Sequence, residues 1–146
     1  MRILGLDYGD TRCGVAITDA LNVTAQGLET IYCNNSDKVI LKRLDEILNE
    51  YEVSTIVVGM PFNMNGTKTE RAEKTEEFIH KLKCKYNNIE IVSIDERLTT
   101  VAAHKTMNFL DINKNKKKNI VDTISAVYIL ETYLNKIKNS LQSEEK

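Results

Sequence analysis

Ile56-Val57-Val58, inside the apolar run at 54–59, narrows the fold more than any other stretch of this chain. Three β-branched residues in succession leave no polar face, so a strand built from them is covered on both sides, as inside a parallel sheet. Parallel neighbours require long crossovers, usually helical, and the flanking sequence supplies them. From Ser36, a suitable N-cap, the residues Ile40, Leu44, Ile47, Leu48 and Tyr51 recur at helical spacing. A loop at 60–65 holds the only proline, and a highly charged helix is expected from about residue 69 to 86, turning Thr75, Phe78, Ile79 and Leu82 inward. Residues 89–94 read as the next buried strand. Thr99 or Thr100 is expected to cap a helix to about residue 110, followed by a lysine- and asparagine-rich loop at 111–119 and a last helix from about 119 to 137.

The N-terminal third has another rhythm. Two short apolar runs, 3–8 and 13–18, are joined by Gly9-Asp10-Thr11-Arg12, which reads as a hairpin, and 24–32 is a plausible third strand. Three strands followed by alternating helices and strands describe an α/β fold, a mixed five-stranded sheet with an antiparallel hairpin region, a parallel half and helices on both faces. At 146 residues one domain is expected, here 1–138, with 139–146 as a flexible C-terminal tail.

Composition excludes several classes. A hydrophobic share of 42% and a charged share of 28% fit neither a disordered nor a fibrous chain. The apolar start is stopped by Asp7, far short of the roughly 20 residues a membrane span needs, so no membrane association and a cytoplasmic location are expected. Cys13, Cys33 and Cys84 are odd in number and lack a C-x-x-C pair, which points to reduced thiols. A formal net charge of −1 argues against nucleic-acid binding by bulk positive charge, leaving that task to local clusters.

Three carboxylates stand where apolar side chains would be expected. Asp7 ends the first strand in register with Ile3 and Gly5, and Glu96 follows the 89–94 strand in register with Val92 and Ile94. Asp122 opens the last helix, and its i+4 and i+7 positions are Ala126 and Ile129, so it points along an apolar face. Each acid alone has an ordinary explanation, as a turn residue, a partner for Arg97 or a helix N-terminal acid. Three inward acids together would repel one another unless a cation bound them, and hard oxygen ligands suit Mg²⁺ or Mn²⁺.

Gly5-Leu6-Asp7-Tyr8-Gly9 with Arg12 and Gly14-Val15-Ala16, Val58-Gly59-Met60-Pro61 with 63–67 and Arg71-Ala72, Asp95-Glu96-Arg97-Leu98-Thr99-Thr100, and Val121-Asp122 with Ala126 and Ile129-Leu130 resemble the successive motifs of the YqgF family. The resemblance covers essentially the whole chain in order. It implies an RNase H-like fold and a metal-dependent nuclease that hydrolyses phosphodiester bonds, most simply in maturing the 5′ end of pre-16S rRNA during ribosome biogenesis. Holliday junction resolution, with branched DNA as substrate, is the alternative that the family offers. It also implies that Asp7, Glu96 and Asp122 are the catalytic and metal-binding acids, Asp7 shared between two ions in metal-assisted hydrolysis without a covalent intermediate. This chain departs from the family pattern at Cys13, Ser125 and Asn119, small changes that leave the acids in place. RNase H-like enzymes often carry a fourth acid; Asp95 is the nearest candidate here, but strand alternation points it away from Glu96.

Basic residues lie near these acids in sequence. Arg12, Lys68, Arg71, Arg97, Lys117 and Lys118 are the expected phosphate contacts, with Lys114 and Lys116 in the same lysine run. There is no Trp and no aromatic ladder for stacking bases, so recognition of backbone shape is expected. Two other classes fit parts of the pattern: a catalytically silent nucleic-acid-binding module, and an actin-like nucleotide binder, whose phosphate hairpin Asp7-Tyr8-Gly9 and Gly14 resemble. The oligomeric state is open between monomer and homodimer.

Overall fold

The computed structural model describes residues 1–63, 65–98 and 114–144, without the side chains of 98, 114–122 and 141–144. Three strands come first, β1 (Arg2–Asp7), β2 (Arg12–Thr18) and β3 (Ala25–Tyr32), then α1 (Asp37–Glu50), β4 (Val53–Met60), α2 (Glu70–Lys85), β5 (Glu90–Asp95) and a long helix, α3 (Lys114–Glu144). They build one sheet in the order β3-β2-β1-β4-β5, antiparallel across the first three strands and parallel from β1 through β4 to β5. This is the expected mixed five-stranded sheet. Among the described residues no helix is long and apolar enough to cross a membrane.

The two sheet faces are covered differently. Leu4, Leu6, Ile56 and Val58 point into a large cluster with Ile40, Leu44 and Ile47 of α1 and Ala72, Phe78, Ile79 and Leu82 of α2. Each such side chain stabilises the fold by about 1.5–3 kcal/mol through its burial. Alternate residues, Ile3, Ala16, Val57 and Ile94, face the other way and meet Ala126, Ile129 and Leu130 of α3. β4 is covered on both faces, as its β-branched run requires.

Helix α3 sits unusually close to the sheet because the row beneath it is made of small residues. Gly5 pairs with Ala16, and Ala16 with Gly27. A Cβ on Gly5 would lie 2.9 Å from the Ala126 carbonyl oxygen and 3.0 Å from the Leu130 Cβ, and one on Gly27 would lie 3.0 Å from the Thr123 Cβ. Backbone and Cβ atoms therefore set the height of α3.

Both ends of the last helix differ from the sequence reading, which expected it from about 119 to 137 with a flexible tail at 139–146. Residues 114–119, expected as a loop, have helical backbone, because α3 begins at Lys114 and continues to Glu144. Lysine is a good helix former and no glycine or proline interrupts 111–144. The helix expected from residue 99 or 100 to 110 lies outside the described residues.

Gly5→Ala should lower unfolding free energy by about 1–3 kcal/mol, the usual cost of overpacking a closed contact. Urea denaturation should show a lower midpoint with an unchanged slope.

A second expectation concerns alkaline pH. Tyr8 Oη donates to Asp37 Oδ1 at 2.6 Å, and Tyr86 Oη donates to Asp45 Oδ1 at 2.7 Å. Burial, then these carboxylates, push both phenols far above their ordinary value of 10.0. Because folding raises both, their contribution is whole below pH 10 and is lost as pH rises further, the unfolded chain releasing its protons first. Denaturation midpoints between pH 8 and pH 11.5 should fall less steeply in a Tyr8→Phe/Tyr86→Phe double variant; an identical fall would refute this source of alkaline sensitivity.

Candidate active site

The C-terminal ends of β1, β4 and β5 meet beside α3, and the sheet register determines what is found there. Leu6 lies beside Val58, so the next residues, Asp7 and Gly59, are neighbours. Asp7 shares the α3 face with Ile3 and Gly5 and is only 7% exposed. On the other side of β4, Gly59 pairs with Ile94. Two residues later Glu96 opens a 3-10 turn, Glu96–Leu98, and folds back over Gly59. A Cβ there would collide with Ile129 Cδ1 and lie 2.8 Å from Glu96 Oε1. Gly59 thus leaves the space that lets the Glu96 carboxylate reach the strip of sheet next to Asp7.

The third expected acid, Asp122, lies on α3, where the backbone alone is described. It is one turn before Ala126, whose carbonyl oxygen faces Gly5, two residues from Asp7 on the same face of β1. The expected i+4 and i+7 residues, Ala126 and Ile129, are fully buried against this face. Among the described residues no three metal-ligating side chains form a group, Asp7 and Glu96 being the described part of the expected set.

The six expected phosphate contacts separate into three groups. Arg12 and Arg71 line one open cleft of about 270 Å³ together with Asp7, Tyr8, Gly9, Asp10 and Thr11. Arg71 reaches across Gly9 to donate to the Tyr8 carbonyl at 3.2 Å and to Asp10 Oδ2 at 3.4 Å. Lys68 and Arg97 flank the 62–68 loop: Lys68 pairs with Glu76 at 2.7 Å, and Arg97 lies 5.4 Å over the Phe62 ring and beside Gly66. Arg97 also grips Asp95, with Nη2 2.6 Å from Oδ2 and the backbone N–H 2.9 Å from Oδ1. That contact holds the Asp95 carboxyl below the usual carboxylate range, and Asp95 lies on the face opposite Ile94, as alternation requires. Lys117 and Lys118 are on α3, with side chains outside the described residues.

The sequence reading missed Asp10 and Lys74. Asp10 sits in the β1–β2 turn, and its Oδ1 lies 3.7 Å from Lys74 Nζ. The only signal was Asp10 itself, a common turn residue; its partners lie more than 60 positions away, at a distance in sequence that no local pattern bridges. The turn is held from behind by the β3–α1 connection. Thr11 O accepts from Cys33 N at 2.9 Å, and Cys33 Sγ approaches the Gly9 and Asp10 carbonyls at 3.6 and 3.4 Å. Asn34 and Asn35, at φ 46° and 65°, make the left-handed bend that permits this. Burial pushes the Cys33 thiol up, so it serves as a packed donor.

Comparison with known proteins follows the same lines. The family described as RuvX: Holliday junction resolvase matches residues 1–136. A protein of Ruminiclostridium cellulolyticum named "Putative pre-16S rRNA nuclease" is 57% identical over 143 residues, 98% of this chain and 100% of its own length. One of the same name from Acetivibrio thermocellus is 54% identical, covering 92% of this chain and 95% of its own. Among solved structures, Thermus thermophilus RuvC in complex with a Holliday junction substrate has a TM-score of 0.55 at 13% identity, covering 90% of this chain and 92% of that one. The fowlpox virus Holliday junction resolvase has a TM-score of 0.53 at 15% identity, covering 94% and 99%. At such identities these two establish a shared fold, in agreement with the RNase H-like sheet. The family match and the full-length relatives go further: this chain belongs to the RuvX family of nucleases.

Proposed function

We propose that Asp7, Glu96 and Asp122 form a divalent-metal site, for Mg²⁺ or Mn²⁺, at which this chain hydrolyses a phosphodiester bond near the 5′ end of pre-16S rRNA. The observation that supports this most is the convergence of Asp7 and Glu96 on one sheet face over the gap left by Gly59. Carboxylates brought to one sheet face supply the oxygen ligands that a hard divalent cation takes. The donor set fits such an ion, being made of carboxylate oxygens. When bound, the metal activates water and stabilises the charge on the leaving oxygen.

The protein's own part is positioning. Asp7 is held rigidly by its strand, with Tyr8 on the opposite face stacked on Phe78 at a centroid distance of 4.4 Å. Glu96 is fixed by the 3-10 turn that Asp95 and Arg97 close. Arg12 and Arg71 border the cleft beside Asp7, where they would hold backbone phosphates on either side of the cut. The substrate preference rests on the names of the full-length relatives. Junction resolution is the second reading, favoured by the description of the family; two symmetric cuts would require a homodimer, whereas RNA trimming is compatible with a monomer. In this reading 1–138 is one nuclease domain acting in the cytoplasm.

Labelled pre-16S rRNA 5′ leader and a four-way DNA junction, each incubated with Mg²⁺ or Mn²⁺, test both readings side by side. Wild type should cut the RNA, and Asp7→Asn should reduce the rate at least about a hundredfold, more than loss of a supporting outer residue would. Cutting of the junction alone would transfer the assignment to resolution. Mn²⁺ should also raise the melting temperature of wild type but not of Asp7→Asn; an equal rise in both would refute the metal site independently of substrate.

A further inference from the structure

The described ion pairs fall into two sets. Arg43–Glu29, Arg97–Asp95, Lys68–Glu76, Lys81–Asp37 and Lys85–Asp45 are closed at 2.6–2.8 Å, the separation of a full charge-assisted hydrogen bond. Asp10 instead is divided between two cations, accepting from Arg71 at 3.4 Å and lying 3.7 Å from Lys74. Its two oxygens are divided between them. All three side chains are 44–49% exposed, so water reaches the cluster.

The place of this cluster gives it meaning. Asp10 and Arg71 line the cleft that contains Asp7, and the same two residues with Lys74, Thr69 and Glu70 line an adjoining open hollow of about 410 Å³. One carboxylate shared by two cations leaves the Asp10–Arg71–Lys74 cluster itself with one positive charge over, beside the acids Asp7 and Glu70 that line the same hollows. A carboxylate bridging an Arg and a Lys also presents two oxygens as a phosphodiester does. We propose that Arg71 and Lys74 form a binding subsite for a non-scissile backbone phosphate, and that Asp10 is its internal competitor, displaced when nucleic acid binds. This rests on the nucleic-acid reading above and adds Lys74 as a contact and Asp10 as a residue that sets affinity. The competitor weakens binding everywhere along a polyanion, so that contacts nearer Asp7 decide where the chain settles.

Binding without cleavage tests this. Fluorescence anisotropy with a labelled RNA leader and with the DNA junction, in EDTA, would be measured from 50 to 300 mM salt for wild type, Asp10→Asn, Lys74→Gln, the Asp10→Asn/Lys74→Gln double variant and Glu52→Gln. Glu52 is exposed and lies outside both clefts, so it controls for net charge. Asp10→Asn should bind about fourfold tighter at the lowest salt, the size of one charge interaction across roughly 5 Å of water. Lys74→Gln should bind more weakly and lower the log–log salt slope by about 1. In the Lys74→Gln background the gain from Asp10→Asn should shrink, because its target is halved. If Asp10→Asn matches Glu52→Gln, or if its gain is undiminished in the double variant, the competitor is refuted while the nuclease reading stands. If wild type binds neither nucleic acid, both fail together. Thermal melting of each variant, expected within a few degrees of wild type, keeps misfolding from imitating either result.

Discussion

Everything at the candidate site depends on how closely α3 lies on the sheet. A helix packed through large side chains stands about 10 Å from its support, and its height varies with each side chain's rotamer. Here the row Gly5, Ala16, Gly27 brings backbone against backbone, with the Ala126 carbonyl over Gly5 and Thr123 over Gly27. Hard atoms set that distance, and hard atoms do not repack. In the proposed site the third acid is borne by this helix and the first by the strand below it, so the glycine at position 5 fixes the gap between Asp122 and Asp7. The same logic holds at Gly59, where an added Cβ would displace Ile129 and Glu96 at once.

Alternation along β1 supplies the second constraint. Leu6 and Tyr8 face the α1/α2 cluster, and Asp7 between them faces α3. Tyr8 is held by its stack on Phe78 and its bond to Asp37, which Lys81 also holds at 2.8 Å. A rotation of the strand that turned Asp7 away would have to break all three. The turn that follows is backed by the Cys33–Asn35 backbone, so both ends of the segment bearing Asp7 and Asp10 are tied to the body of the fold.

Much of this was legible from the sequence, and the parts that were not share a cause. The β-branched run at 56–58 and the spacing of Ile40, Leu44 and Ile47 identified β4 and α1, because periodicity reports burial and burial dominates the energy. Asp7 was readable as an inward acid from strand register, whereas Glu96, beyond the end of β5, reaches that face by a 3-10 turn that register does not foretell. The start of α3 was not readable, since lysines and asparagines on a solvated face carry no period and composition suggested a loop. Nor was the engagement of the basic residues. Lys68 and Arg97 close on Glu76 and Asp95, whereas Arg71 and Lys74 share Asp10; pairing among exposed charges depends on tertiary placement worth only fractions of a kcal/mol.

That distribution of pairs also answers how a chain of net charge −1 can belong to a family acting on polyanions. Affinity depends on cations that are available to phosphate, and a cation bound at 2.6–2.8 Å to its own carboxylate must first be released. Lys81 and Lys85 are spent in that way, tying α2 to α1 through Asp37 and Asp45 on the side of the sheet away from α3. Their acids neutralise them where phosphate contact would serve no purpose. At Asp10 the pairing is looser, one carboxylate being divided between Arg71 at 3.4 Å and Lys74 at 3.7 Å. Among the described ion pairs those of Asp10 are the longest, so a polyanion reaching this edge meets cations held less tightly than a phosphate could hold them.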